Sequence, residues 1–167
     1  MTQVIQPRIV AIVQARMGST RLPNKVMRLI QGTPMIEVLL KRLSASKYIT
    51  QIWLATADNA INQPLFDHVK QLGYSTYQGD ENDVLDRFYQ TSVEAKADIV
   101  LRITGDCQLI DAVLVDKVIE KYLDSDADYV SNCVPASFPD GLDTEVFSFK
   151  ALEKAWNEAE GQFNHEH

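Results

Sequence analysis

The sequence predicts an α/β protein: a mostly parallel central sheet with helices on both faces. Two observations carry that prediction. Short, uninterrupted apolar runs rich in β-branched residues recur along the 167-residue chain, as expected of strands covered on both sides. Between them lie segments whose apolar residues repeat with helical spacing, and alternation of the two kinds is the mark of this class.

The first run is Ile9-Val10-Ala11-Ile12-Val13. Ile52–Ala55 and Ile99–Ile103 resemble it, and Ser75–Gln78 and Asp128–Ser131 are shorter candidates. The first helix is expected to take Thr33 as cap and Pro34 as first residue, with Ile36, Leu39, Leu40 and Leu43 on one face. Ile61, Leu65, Val69 and Leu72 predict a second helix, ended by Gly73 in a left-handed conformation. Asp80 is expected to cap a third, carrying Val84, Leu85 and Phe88. Asp111 opens a fourth with Val115, Val118, Ile119 and Tyr122, and Ser148 opens a last one with Leu152, Ala155, Trp156 and Ala159. No repeat or linker interrupts the pattern, so a single domain over 1–167 is expected.

Composition excludes several classes. Apolar residues make up 46% and charged residues 23%, enough to bury a core, and no apolar run approaches bilayer length. The N-terminus lacks the basic and apolar segments of a secretory signal. Two cysteines, Cys107 and Cys133, make no disulfide framework. The expectation is a cytoplasmic protein with no membrane partner.

The formal charge of −7 argues against a nucleic-acid partner, because phosphate polymers demand a basic face. The charge is unevenly spread: Arg8, Arg16, Arg21, Lys25 and Arg28 all precede Glu37, the first acid. A small cationic patch on an acidic body suits a compact anion such as a triphosphate.

In parallel sheets ligands bind beyond the carboxyl ends of the strands. Directly after the first strand comes Gln14-Ala15-Arg16-Met17-Gly18-Ser19-Thr20-Arg21-Leu22-Pro23-Asn24-Lys25. Gly18 would let backbone N–H groups turn inward around an anion, and arginine forks add bidentate phosphate contacts. It is neither a Walker A loop nor a dinucleotide fingerprint. On the residues alone an anion site competes with a solvated basic loop. The strand ending at Ile103 runs into Thr104-Gly105-Asp106-Cys107-Gln108. A lone Asp there is well placed to hold Mg²⁺, which takes one or two carboxylates and completes its shell with phosphate and water oxygens; a loop Asp turned back onto its own backbone is the alternative. Cys107 has no apparent histidine partner and is not expected to act as a nucleophile.

Four motifs in order carry a specific resemblance: IVQARMGSTRLPNKV; Gly79-Asp80-Glu81-Asn82-Asp83-Val84-Leu85-Asp86-Arg87-Phe88; Arg102-Ile103-Thr104-Gly105-Asp106-Cys107; and Phe138–Phe147. Together they resemble the cytidylyltransferases that activate sugar acids, among them the acylneuraminate and 3-deoxy-manno-octulosonate enzymes, and most of all the SpsF branch of spore coat polysaccharide biosynthesis. The resemblance implies a nucleotide-diphospho-sugar transferase (Rossmann-like) fold. It implies CTP as donor, a sugar acid as acceptor, Mg²⁺ as cofactor, a CMP-sugar and pyrophosphate as products, and a role in surface polysaccharide synthesis. A homodimer is compatible with it. Another nucleotidyltransferase or a nucleotide-sugar-dependent glycosyltransferase of the same fold is the alternative, as is a truncated, inactive nucleotide-binding relative.

The resemblance also implies roles. The loop would wrap the triphosphate through Ala15, Arg16, Gly18, Ser19, Arg21 and Lys25, with Arg16 and Lys25 neutralising the departing pyrophosphate. Asp106 would be the metal ligand, with Thr104 beside it. The family's proline stands as Gln108 here. Thr56, Asp83 and Arg87 fall where relatives read the base, although a surface salt bridge competes for Arg87. Asp143 and Glu145 would face the acceptor; two apart on a strand, they would point the same way. Relatives have a Glu–His pair near Glu166-His167 followed by further chain, so this chain is expected to hold the nucleotide half with the acceptor half C-terminally truncated.

Overall fold

The computed structural model describes residues 6–19, 22–161 and 164–165. Five strands expected from the sequence form, four with slightly wider bounds, β1 (Ile9–Gln14), β4 (Gln51–Ala57), β5 (Ser75–Gly79) and β6 (Ile99–Thr104), and one a residue shorter, β7 (Tyr129–Ser131). The strand after the Phe138 segment is β8 (Glu145–Ser148). These six make one sheet in the order β5-β4-β1-β6-β8-β7. The first four run parallel, β8 is antiparallel to β6, and β7 is antiparallel to β8. This mixed α/β architecture with a mostly parallel six-stranded sheet is the predicted class.

Strands with apolar residues on both sides need two covers, and they have them. On one face Ala11, Val13, Leu54, Leu101 and Ile103 pack against helices α1 (Met35–Leu43), α2 (Gln63–Gln71) and α4 (Ala112–Leu123). On the other, Val10, Ile12, Ala55 and Val100 meet Phe88 of α3 (Val84–Ala95) and Leu152 of α5 (Phe149–Glu158). Ile12 is wholly buried in the central strand; truncation to Ala there would cost about 2–5 kcal/mol through lost transfer energy and the cavity left behind.

Helix starts differ from expectation in three places. Thr33 does not cap α1. It pairs with Pro34 as β3 (Thr33–Pro34) against β2 (Leu29–Ile30), joined through Gln31 and Gly32 at φ 50° and 83°. Two consecutive left-handed residues make the tight hairpin turn that matches strand twist, and Thr33 is thereby extended. Asp80 does not cap α3 either. Its Oδ1 accepts from the Asn82 N–H, and Asp83 caps the helix by accepting from the Asp86 N–H. The chain needs Asp80–Asp83 to leave the sheet before the helix can begin. Asp111 and Ser148 cap α4 and α5, accepting from the Leu114 and Ala151 N–H groups as expected. Gly73 ends the α2 turn at φ 88°, but Ile61 lies exposed before that helix.

Candidate active site

The carboxyl ends of β1 and β6 are neighbours in register, Gln14 beside Thr104. Their loops are tied by the Gly105 N–H donating to the Gln14 carbonyl at 2.8 Å. The approach is so close that a Cβ on Gly105 would stand 2.6 Å from Cβ of Ala15 and 3.1 Å from the Gln14 oxygen. Glycine is therefore required at 105 by proximity.

Beyond this junction, on the α3 side of the sheet, opens a cavity of about 360 Å³. Of the predicted residues, Ala15, Arg16, Ser19, Lys25, Arg87, Thr104 and Asp106 line it. The Lys25 ammonium lies 2.9 Å from Oδ2 of Asp106. Burial alone would raise the Asp106 carboxyl, but hydrogen bonds from Lys25 and Thr104 and the Lys25 charge outweigh it and hold the group below the usual carboxylate range. Asp106 is thus a carboxylate throughout the neutral range.

Lys25 arrives through a turn in which Asn24 adopts φ 58° and a short 3-10 helix over Lys25–Met27 follows. Asn24, and not Gly18, is the left-handed residue of this loop among the described residues. Gly18 is exposed, has open space at its Cβ position and does not line the cavity. Asn62, buried at the head of α2, accepts from the Met17 N–H at 2.8 Å, while its own amide donates to Asn59. The loop therefore hangs on a side chain 45 positions away. Arg21 lies outside the described residues.

Arg87 is no surface ion pair. It is 4% exposed, and its Nη1 donates to the carbonyls of Asp80 and Glu81. Burial, with the like charge of Arg16, pushes its pKa down. A guanidinium kept from water beside a second cation at a cavity wall favours an anion between them. Arg16 reaches toward Glu81 at 3.9 Å, and Glu81 accepts from the Asn59 amide at 2.9 Å.

Besides Gly18, four predicted residues fall outside this cavity. Thr56 is wholly buried on the sheet face shared with Leu54, away from the cavity. Strand alternation places it there: cavity residues on β1 and β6 belong to the opposite face. Asp83 is occupied as the α3 cap and by His165, whose Nδ1 is 2.9 Å from Oδ2. Asp143 precedes β8, which begins at Glu145, so the two acids do not share a strand face. Glu145 itself sits 3.4 Å from Arg102 and accepts from the Tyr129 hydroxyl at 2.8 Å. The Glu166-His167 pair lies outside the described residues.

The structure adds Gln14, Glu81, Val84, Arg102 and Gly105 to the cavity wall. Arg102 had a sequence signal, a lone cation inside the apolar run Ile99–Ile103. Among the described residues Gln14 Oε1 and the Nε atoms of Arg87 and Arg102 are buried without partners, and such groups call for one. Cys107, buried and raised in pKa by that burial, is inert. Among the described residues no three His, Cys, Asp or Glu side chains gather as a metal cage, and no helix is long and apolar enough to cross a membrane.

Ligands of parallel sheets bind beyond the carboxyl ends of the strands, and the cations gathered there suit an anionic one. Residues 10–167 match the family described as Cytidylyltransferase, and the chain belongs to it. It is 41% identical over 160 residues to an uncharacterized protein of Methanocaldococcus jannaschii, an alignment covering 96% of this chain and 65% of that protein. It is 34% identical over 125 residues to the spore coat polysaccharide biosynthesis protein SpsF of Bacillus subtilis, covering 72% of this chain and 52% of SpsF. It is 31% identical over 118 residues to a 3-deoxy-manno-octulosonate cytidylyltransferase of Trichlorobacter lovleyi, covering 70% and 45% of the two chains. A solved cytidylyltransferase structure from Leptospira borgpetersenii superposes with TM-score 0.91 at 31% identity, over 96% of this chain and 68% of that one. The chain thus spans from under half to about two thirds of the curated relatives it matches.

Proposed function

We propose that this protein transfers a cytidylyl group from CTP to a sugar acid, releasing pyrophosphate and a CMP-sugar for surface polysaccharide synthesis. The observation that carries the reading is convergence: Arg16 and Lys25 from the loop after β1, Arg87 from α3 and Asp106 from the loop after β6 meet around one cavity. The family and the octulosonate relative supply the nucleotide and the acceptor class.

In this reading the triphosphate lies along the first loop, with Arg16 and Lys25 against its oxygens and Ala15, Ser19 and Thr104 beside it. The acceptor oxygen bonds to the α-phosphorus, the bond to the β-phosphate oxygen breaks, and the acceptor hydroxyl gives up its proton. Charge grows on the non-bridging and leaving oxygens, where fixed cations stabilise it without reorganising. Arg87, anchored by two carbonyls, holds its position on the α3 side. Glu145 stands toward the acceptor.

Asp106 also fits the role of Mg²⁺ ligand: a single ionised carboxylate on a phosphate-sized cavity is the donor set that ion favours, the remaining positions being phosphate and water oxygens. Bound there, the ion would neutralise phosphate charge.

Calorimetry with the four nucleoside triphosphates and Mg²⁺ tests the reading, followed by pyrophosphate release with a panel of sugar acids. CTP is expected to bind most tightly. Preference for GTP, UTP or an intact sugar nucleotide would displace the proposal, and CTP binding without turnover on any acid would favour a binding-only role.

A further inference from the structure

A second cavity, of about 580 Å³, adjoins the first. Leu85, Phe88, Phe147 and Leu152 give it an apolar wall drawn from α3, β8 and α5. Among the described residues the two walls share Val84 and Arg102, so Arg102 is the one charged side chain common to both.

Arg102 interrupts the apolar run of β6, on a sheet face covered by Phe88 and Leu152. A cation there carries a desolvation cost that an apolar side chain would not, and its protein partners do not account for it. Glu145, its register partner on β8, lies 3.4 Å from Nη1, longer than a charge-assisted hydrogen bond. The guanidinium carbon stands 5.9 Å from the centroid of the Phe88 ring, and Nε is buried with no partner among the described residues. Glu145 is itself held, because the Tyr129 hydroxyl donates to its Oε2 at 2.8 Å. Burial first, and the Glu145 carboxylate with it, push that hydroxyl up to about 12, so it keeps its proton at neutral pH. Arg102 is thus fixed by a ring below and a carboxylate at one side. A guanidinium has five N–H donors, and donors are left over.

Transfer at phosphorus is in line, with the incoming and leaving oxygens on opposite sides of the reacting atom. A nucleotide filling the first cavity must therefore present its α-phosphorus at an edge that opens on a neighbouring space. The seam between the cavities is such an edge. Lys25 and Asp106 line the first cavity alone and suit the two phosphates that leave.

We propose that Arg102 is a catalytic residue: from the seam it donates to the non-bridging oxygens of the α-phosphoryl group and stabilises the charge that grows on them during transfer. The inference rests on the cytidylyl-transfer reading and is independent of which acceptor is used. The bond from the acceptor oxygen to the α-phosphorus forms as the bond to the β-phosphate oxygen breaks. The electron pair of the broken bond leaves on pyrophosphate, and the acceptor's proton passes to water. Arg102 keeps its own protons, as a guanidinium does throughout this range.

The test uses the whole chain with CTP and Mg²⁺ and no acceptor, so that the nucleotide stays intact. Phosphorus NMR of the complex resolves the three phosphates. Arg102→Gln is expected to move the α resonance from its position in the parent complex, while the β and γ resonances and the CTP affinity stay as they were. Arg102→Lys, which keeps the charge without the planar fork, should move it less. With a panel of sugar acids, kcat for pyrophosphate release should fall about 10²–10³-fold in Arg102→Gln. Should that variant unfold, the double variant with Glu145→Gln leaves no carboxylate unpaired and takes its place. Where no acid is turned over, the α resonance alone decides. An unmoved α resonance, equal movement of all three, or an undiminished kcat would each overturn the inference. Failure of the parent chain to bind CTP would instead remove the cytidylyl-transfer reading, and this one with it.

Discussion

Lys25 and Asp106 are 81 positions apart in the chain and 2.9 Å apart in space. One closes the loop after β1 and the other follows β6, so their meeting depends on those two strands being hydrogen-bonded neighbours. The pair is half open to solvent, Lys25 less so than Asp106. An ion pair of this kind contributes only about 0–1 kcal/mol to stability. Its placement at a cavity wall, among other cations, is better explained by a phosphate ligand than by folding.

Lys25→Ala and Arg16→Ala should therefore separate rate from stability. Each is expected to lower turnover by about 10²–10³-fold, the usual effect of removing one positioned donor to developing charge, with a melting temperature close to that of the parent. Pyrophosphate release and thermal unfolding measure the two. Unchanged rates with a lowered melting point would return the loop to a structural role.

Asp106→Asn is expected to abolish Mg²⁺-dependent CTP binding in calorimetry while the chain stays folded. It also carries a pH signature. A depressed carboxyl contributes stability above its unfolded value near 3.9, and loses it as pH falls through the lower folded value. Acid titrations of unfolding should show that part of the loss in the parent and not in the Asn variant. Identical acid profiles would mean that Lys25 does not hold Asp106 ionised.

Gly105→Ala tests the closeness of the two loops. Its new Cβ would press on Cβ and Cα of Ala15 and on the Gln14 carbonyl oxygen, two of them backbone atoms that cannot swing away. Overpacking of this kind costs about 1–3 kcal/mol. Moving Ala15 and Arg16 outward should lower turnover by about 10²-fold, as small misplacements in a positioned site do. Urea unfolding and steady-state rates check both, and a neutral substitution would show the junction to be looser than described.

Asn62→Ala reaches the site indirectly. The buried Met17 N–H would lose its acceptor, a loss worth about 1–3 kcal/mol. CTP affinity should fall with the loosened loop while the charge inventory of the cavity stays the same. An unaltered Kd would show that the loop holds its shape without α2.

Much of this was legible in the chain because local physics governs it. Runs such as Ile9–Val13, short and rich in β-branched residues, read as strands covered twice, and Asp111 and Ser148 sit at the cap positions of α4 and α5. Thr33 and Asp80 misled because each is a good cap residue claimed by a competing local structure, a hairpin in one case and a turn in the other. Thr56 and Asp143 misled for another reason. A residue near the end of a strand can face either side, and β8 begins only at Glu145, two residues after Asp143, which leaves the two acids off a common strand face.

The amino-acid sequence by itself determined the alternation of strands and helices, the cationic loop and the lone carboxylate after Gly105, because periodicity, caps and charge are written in consecutive residues. Only the tertiary structure decided that Lys25 and Asp106 touch, that Arg87 is buried against carbonyls, and that Arg102 stands between two cavities. Those relationships come from strand order and from which sheet face each side chain takes, and both are set by how helices bury the two faces, over distances that no local pattern spans.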